Sequence, residues 1–323
     1  MAKFKVVMTD DRHKTYEEEK QVLKSINADV VIANCVTAEE VIDACRDADG
    51  IMVNLAPMNA KVIEKLEKCK VIARYGVGYD NVDVEACTKR GIYATNVTDY
   101  CAEEVSDHAL ALLMACTRKV ARRDAQVRAG KWNIGGADPI YRMAGKTFTF
   151  LGYGMIARTL HRKIKGFNFS KIQVFDPFID AEAIKAADAE KVDWGTALRE
   201  ADFISVHMPL NDSTKGIINS EAFAKMKPGA IIVNTSRGPI IEEKALIDAL
   251  TSGQINSAGL DVHSKEPLDK DSPLFEIENC VLTDHVGWYS EEAMSELKRK
   301  VAENVRDVLL GNKPKYPVNK IDI

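Results

Sequence analysis

The chain predicts an α/β fold built as two doubly wound parallel-sheet lobes, and three observations predict it. Short apolar runs rich in Val, Ile and Phe alternate with helix-length segments along its 323 residues. The number of strand candidates exceeds what one open sheet usually holds. A single glycine fingerprint, Gly152-x-Gly154-x-x-Ala157, lies in mid-chain, so one lobe is expected to be inserted into the other.

Taken in order, the first lobe reads as strand Lys5–Thr9, helix Glu17–Ile26, strand Val30–Ala33, helix Ala38–Asp47 and strand Ile51–Asn54. Helix Ala60–Cys69, strand Val71–Ala73, short helix Val84–Arg90 and strand Ile92–Thr95 follow. Strands joined by helices of this length imply a parallel sheet covered on both faces. A long helix over Ala102–Arg118 then places Val105, Ala109, Leu112, Leu113 and Cys116 on one face. Further strands are expected at Thr147–Leu151, Ile172–Phe175, Phe203–Val206, Ala230–Asn234, Ala258–Asp261 and Val281–Thr283. Helix Glu242–Leu250 stops before Gly253, and the last helix, Ser290–Leu310, carries Met294, Leu297, Val301, Val305 and Val308 on one side. That helix is expected to cross back and complete the first lobe. The domains are therefore 1–97 with 288–323, and 98–287.

The stretch TFTFLGYGMIARTLHRKIKGFNFSKIQVFD is one βαβ unit. Gly152 lets the chain turn out of its strand, Gly154 lets backbone approach a pyrophosphate, and Ala157 lets the helix pack closely on the sheet. The helix N-terminus offers unpaired N–H groups to phosphates. Asp176, 24 residues after Gly152, stands where a carboxylate accepts the adenine-side ribose hydroxyls and repels a 2′-phosphate. No Arg or Lys follows in Pro177-Phe178-Ile179-Asp180, so NAD is favoured over NADP.

The bulk properties exclude several classes. A net charge of −4 and a pI near 6.0 argue against nucleic acid or an anionic membrane as partner. MAKFKVVMTD runs into a strand without signal-peptide character, and no apolar run reaches membrane-span length. Seven scattered cysteines without a C-x-x-C pair read as reduced core thiols in a cytoplasmic protein. Cys101 is the exception, because a thiolate at a helix start would be stabilised and reactive. No metal-ligand spacing occurs among the histidines. His13 and His161 read as surface positions, His108 lies within a helix, and His263 has no assigned role.

Hydride transfer between a 2-hydroxy acid and NAD needs a fixed cation, an acid–base group and a carboxylate that orients it. Arg237, after the run Ile231–Asn234, can grip a carboxylate with two donors. His285, after Val281–Asp284, can move the hydroxyl proton, and Glu266 can orient it and favour its protonated form. His207 ends a strand and could line the cofactor cleft. A second ligand is expected in a cleft between the lobes, its tail near Asn54, Leu55, Tyr75, Trp288 and Tyr289. Apolar residues there lean toward a hydrophobic tail.

ARYGVGYDNVDVEAC, LGYGMIA, FDP, VHMPL, KPGAIIVNTSRGPIIEEKAL, GLDVHSKEP and TDHVGWYSEEA together resemble the D-2-hydroxyacid dehydrogenase family over essentially the whole chain. The resemblance implies a flavodoxin-like substrate lobe and a Rossmann NAD lobe. It also implies NAD-dependent interconversion of D-2-hydroxy and 2-oxo acids by a homodimer whose arm lies near residues 101–145. Arg237 would bind substrate, Glu266 would pair with the acid–base His285, Asp261 would contact the nicotinamide carboxamide, and Val77 and Gly78 would offer N–H groups to the substrate carboxylate. The cofactor-binding set would comprise Gly152, Gly154, Met155, Ile156, Asp176, His207, Pro209, Thr214, Thr235, Ser236, Arg237, Asp261, His285 and Gly287. HVGWYSEE is similar to the branch containing the C-terminal-binding-protein corepressors, which raises the alternative of an NADH-sensing dimeric scaffold. In that branch Trp288 would narrow the substrate pocket or pack at the hinge. Val105-Ser106-Asp107-His108 departs from the family's VAEH-type sequence without touching the catalytic residues.

Overall fold

The computed structural model describes residues 3–10, 15–132 and 139–321; His13 lies outside them. The chain divides into two units, Met1–Cys101 with Ser290–Ile323, and Ala102–Tyr289.

In the first unit β1 (Phe4–Met8), β2 (Ala28–Ile32), β3 (Gly50–Val53), β4 (Val71–Arg74) and β5 (Tyr93–Thr95) form a parallel sheet in the order β2-β1-β3-β4-β5. This is the flavodoxin-like order. Every residue of β3 is buried, which is why it reads as a continuous apolar run rather than an alternating one. Three of the helices between strands begin on side-chain caps: Thr37 with Glu40 in a reciprocal pair, Asn59 on Val62 N–H, and Asp83 on Ala86 N–H. Helix Glu291–Leu309 packs on helix Glu17–Lys24 and on β3 and β4, and so belongs to this unit. Two of its lysines are buried, and each is paired as a buried charge must be. Lys298 Nζ lies 3.2 Å from Glu18 Oε2, and Lys300 Nζ lies 2.6 Å from Asp99 Oδ1. The C-terminal tail covers the β5 edge, with Val318 N–H donating to Ala94 O at 2.8 Å and Asn319 Oδ1 accepting from Ala94 N–H at 2.9 Å.

In the second unit β6 (Thr147–Leu151), β7 (Lys171–Phe175), β8 (Glu190–Lys191), β9 (Phe203–Val206), β10 (Ala230–Asn234), β11 (Ile255–Leu260) and β12 (Cys280–Leu282) form a parallel sheet in the order β12-β11-β10-β9-β6-β7-β8. The strand order reverses between β6 and β9, the switch point of a Rossmann sheet. Helix Ala102–Arg118 lies across β10 and β11. It approaches so closely that a Cβ on Gly259 would stand 2.9 Å from Leu112 Cβ. All seven strands run in the same direction, so their carboxyl ends share one edge of the sheet.

Several expectations need correction. The helix begun at Ala60 stops at Glu64 rather than Cys69, because Glu67 N–H bonds Arg46 O at 2.8 Å and draws the chain out of the helix. His161 is not a surface residue: it is 4 % exposed, and its Nδ1 lies 2.6 Å from Tyr153 Oη. Cys101 is 2 % exposed, which removes the accessibility that a reactive thiol requires. Burial pushes the thiols of Cys45, Cys87 and Cys280 up to about 12. No helix among the described residues is long and apolar enough to cross a membrane.

Candidate active site

Most of the sequence-selected polar residues stand just beyond the carboxyl ends of the second unit's strands. Gly152 follows β6, Asp176 follows β7, His207 follows β9 and Arg237 follows β10; Asp261 and Glu266 follow β11, and His285 follows β12. Parallel strands bring these distant positions to a single edge.

The fingerprint turn has the shape a pyrophosphate requires. Gly152 has φ +87°, and a Cβ there would come within 2.8 Å of the His207 and Met208 backbone across the switch point. Apart from its chain neighbours, none of the described residues lies within 4 Å of the position a Gly154 Cβ would take. Helix Met155–Ile164 has no side-chain cap, so its first N–H groups are available to an anion. Asp176 accepts Tyr153 N–H and Phe178 N–H, both at 2.9 Å, which fixes its carboxylate at the end of β7. Thr235 Oγ1 is shielded and has no hydrogen-bond partner among the described residues. These features fit a dinucleotide. Met155 is exposed and Ile156 half-buried at the start of the helix. Thr214 Oγ1 donates to Pro209 O at 2.6 Å, closing the loop after His207. Burial pushes the His207 imidazole down to about 3, so it is neutral, and its Nε2 lies 2.8 Å from Ser205 Oγ.

His285 Nδ1 lies 2.6 Å from Glu266 Oε2. The other carboxylate oxygen, Oε1, accepts His263 N–H at 3.0 Å. Burial works against the charge of Glu266, but these bonds outweigh it and hold the carboxyl below its ordinary value. His285 is itself in the left-handed region, at φ +59°, where non-glycine residues are uncommon.

The backbone around His285 is held by Asp261. Its Oδ1 accepts from Thr283 Oγ1 at 2.7 Å and from Val286 N–H at 3.0 Å, and its Oδ2 accepts Gly287 N–H at 2.9 Å. His108, from helix Ala102–Arg118, places Nε2 2.9 Å from Thr283 Oγ1 and 3.2 Å from Asp261 Oδ1. Burial disfavours the charge on Asp261, yet the bonds from His108, Thr283 and Gly287 prevail and hold it at about 2. Asp261 is 2 % exposed, so all of these bonds lie within the protein. A Cβ at Gly287 would stand 2.7 Å from Asp261 Oδ2. The roles of Thr283 and His108 in this arrangement left no sequence signal, because the residues they touch lie up to 175 positions away.

Arg237 is half-buried, and its Nη1 donates to Ser236 O at 2.7 Å. Its loop is pinned by Asn234, whose Oδ1 accepts Ser236 N–H and whose Nδ2 donates to Arg237 O, each at 3.0 Å. Ser236 Oγ donates to Met208 O. The next residue, Gly238, packs so tightly that a Cβ would fall 2.0 Å from His263 C. The turn that presents Arg237 therefore rests directly on the loop that carries Glu266. Trp288 is half-buried and meets Tyr289 edge-on at 5.6 Å.

In the first unit Asp10 accepts N–H groups from Asn54 at 3.1 Å, from Leu55, and from Ala56 at 2.8 Å, so one carboxylate fixes the loop after β3. Leu55 is 54 % exposed. No hydrogen bond occupies the N–H of Val77 or Gly78 among the described residues, while Asn96 Nδ2 holds Val77 O at 2.7 Å. Tyr75 requires correction: it is 5 % exposed, with its hydroxyl donating to Glu19 Oε1 at 3.0 Å, and it lines no surface. A buried phenol needs a partner, and the buried Glu19 supplies it.

A dinucleotide turn, a His–carboxylate pair and an arginine at the carboxyl edge of one parallel sheet are what an NAD-dependent dehydrogenase of 2-hydroxy acids requires. The NAD-binding domain model of the D-isomer specific 2-hydroxyacid dehydrogenases matches residues 110–287. A glyoxylate reductase of Korarchaeum cryptofilum is 39 % identical over 284 residues, covering 87 % of this chain and 85 % of that protein. A D-3-phosphoglycerate dehydrogenase of Methanocaldococcus jannaschii is 37 % identical over 321 residues, 99 % of this chain, which spans 60 % of that relative's length. Among solved structures, a glyoxylate reductase from Paecilomyes thermophila superposes with a TM-score of 0.89 at 28 % identity, covering 98 % of this chain and 99 % of that one. The chain belongs to the D-isomer specific 2-hydroxyacid dehydrogenase family, and the oxidoreductase activity and NAD dependence expected of it are those of that family.

Proposed function

We propose that the chain works as a reductase of a small 2-oxo acid, with Arg237, Glu266 and His285 as its catalytic residues and as product a 2-hydroxy acid, of D configuration wherever C2 is a stereocentre. The observation that carries the assignment is the 2.6 Å contact of His285 Nδ1 with Glu266 Oε2, which leaves Nε2 as the imidazole's free proton-transfer atom. NADH, when bound, supplies the hydride. Arg237 holds the substrate carboxylate through its paired donors and polarises the carbonyl. Protonated His285 delivers its Nε2 proton to the carbonyl oxygen as that oxygen becomes a hydroxyl. Glu266 keeps Nδ1 protonated and the ring in place. Asp176 selects NAD through the ribose.

Two relatives described above carry the name glyoxylate reductase, which supports a small substrate. Trp288 is assigned to the tail side of the pocket. The corepressor-like alternative receives no support from these relatives, which carry enzyme names. The protein is further proposed to be a cytoplasmic homodimer. Its arm includes helix Val120–Arg128, on which no residue is buried and from which Val120 and Val127 stand 57 % and 52 % exposed. The test is steady-state NADH oxidation across glyoxylate, hydroxypyruvate, phenylpyruvate and 3-phosphohydroxypyruvate. Turnover above about 1 per second on at least one acid is expected, with glyoxylate preferred over the phosphorylated acid. Absence of turnover on all four would contradict the proposal.

A further inference from the structure

His263 is an imidazole that the mechanism leaves unused, and it is 9 % exposed, close behind the proton-transfer pair. Its Nε2 lies 2.8 Å from Thr283 O. A carbonyl only accepts, so Nε2 carries the hydrogen of this bond. Nδ1 is shielded and has no hydrogen-bond partner among the described residues. A cavity of about 10 Å³ lies alongside, lined in part by His263, Asn234, Gly238 and Glu243.

The two polar groups His263 does use reach both halves of the pair. Its backbone N–H donates to Glu266 Oε1 at 3.0 Å, leaving Oε2 for His285 Nδ1 at 2.6 Å. Its side chain holds the carbonyl of Thr283, two residues before His285. The bonds close a ring from His263 N–H through Glu266 and His285, back along the chain to Thr283, and across to His263 Nε2. Gly238 rests on the carbonyl of the same residue, with its hypothetical Cβ 2.1 Å from His263 O, so the Arg237 turn abuts this ring.

We propose that His263 is a positioning residue of the reaction, its Nε2–H anchoring the end of β12 so that His285 meets Glu266 in proton-transfer geometry. The proposal rests on the assignment of His285 as acid–base group. It adds that the geometry is maintained by a side-chain donor two residues beyond Asp261. The anchor matters because His285 sits in a left-handed backbone conformation that the surroundings must impose. A displacement of about 1 Å at such a pair costs about 100-fold in rate.

The experiment compares His263→Phe, His263→Gln and His285→Ala with the wild-type enzyme. Each is measured for kcat and KM with glyoxylate, for NADH affinity by fluorescence titration and for Tm. Phe keeps the ring volume and removes the donor, whereas the Gln amide places a donor near the original Nε2. The expected result is a loss in kcat of about 10- to 100-fold for His263→Phe, with KM and NADH affinity within about 2-fold of wild type. His263→Gln should recover most of kcat even if its Tm is no higher than that of the Phe variant. A His263→Phe variant with unchanged kcat, or a Gln variant no faster than Phe, would overturn the positioning role while loss of turnover in His285→Ala leaves the acid–base assignment standing. Retained turnover in His285→Ala would overturn both.

Discussion

His285, Glu266 and Arg237 owe their chemistry to what surrounds them. A lone histidine leaving a strand is ordinary, but one at φ +59° with Nδ1 on a carboxylate has been set in place. Arg237→Lys should raise KM and lower kcat together, because an ammonium lacks the guanidinium's paired donors. A change confined to KM would limit the residue to ground-state binding. Asp261 has a structural signature of its own. Its folded carboxyl sits near 2, below the ordinary 3.8, so its contribution is complete above 3.8 and lost as pH falls through about 2. Asp261→Asn should therefore cost about 2 kcal/mol at pH 7 by urea unfolding, and the gap to wild type should close as pH falls from about 4 to about 2. A gap independent of pH would mean that the carboxylate's charge is irrelevant to the turn it holds.

Among the elements, those whose residue types answer to local physics were the legible ones. The fingerprint turn, the buried strands and helix Ala102–Arg118 could be read because their glycines, branched residues and apolar spacing depend only on near neighbours. Strand Glu190–Lys191 could not, being two exposed charged residues with no apolar alternation to announce it. Tyr75 and His161 were misread because their burial depends on Glu19 and Tyr153, and a polar side chain gives no sign in sequence of the partner awaiting it. Gly238 shows the same dependence on distant chain. Alanine there would meet the His263 backbone, and Gly238→Ala should destabilise the protein by about 3 kcal/mol as well as displace the Arg237 loop. Wild-type stability for this variant, read by thermal melting, would contradict the close packing. At the other end of the edge, Asp176→Ala should bring the kcat/KM ratio of NADH to NADPH closer to unity. An unchanged ratio would remove Asp176 from cofactor selection.

For the molecule as a whole, the chemistry gathers on one sheet, that of the second unit. The parallel order β12-β11-β10-β9-β6-β7-β8 brings residues spread from Gly152 to His285 to a single edge, which makes a site out of groups that are unremarkable alone. Within the first unit, Asp10 fixes the loop at Leu55, and no hydrogen bond occupies the N–H groups of Val77 and Gly78 among the described residues. The apolar residues exposed on helix Val120–Arg128 belong to this scale too. Val127→Glu should lower the apparent mass in size-exclusion chromatography if that helix lies in a dimer arm, and an unchanged mass would place the interface elsewhere. Proton transfer by His285 is the central step, and it is measured most directly by the rate of NADH oxidation by glyoxylate in His285→Ala beside its NADH dissociation constant. A loss of at least about 1000-fold in rate with the dissociation constant within about 2-fold of wild type is the result predicted. Turnover near the wild-type rate would contradict it.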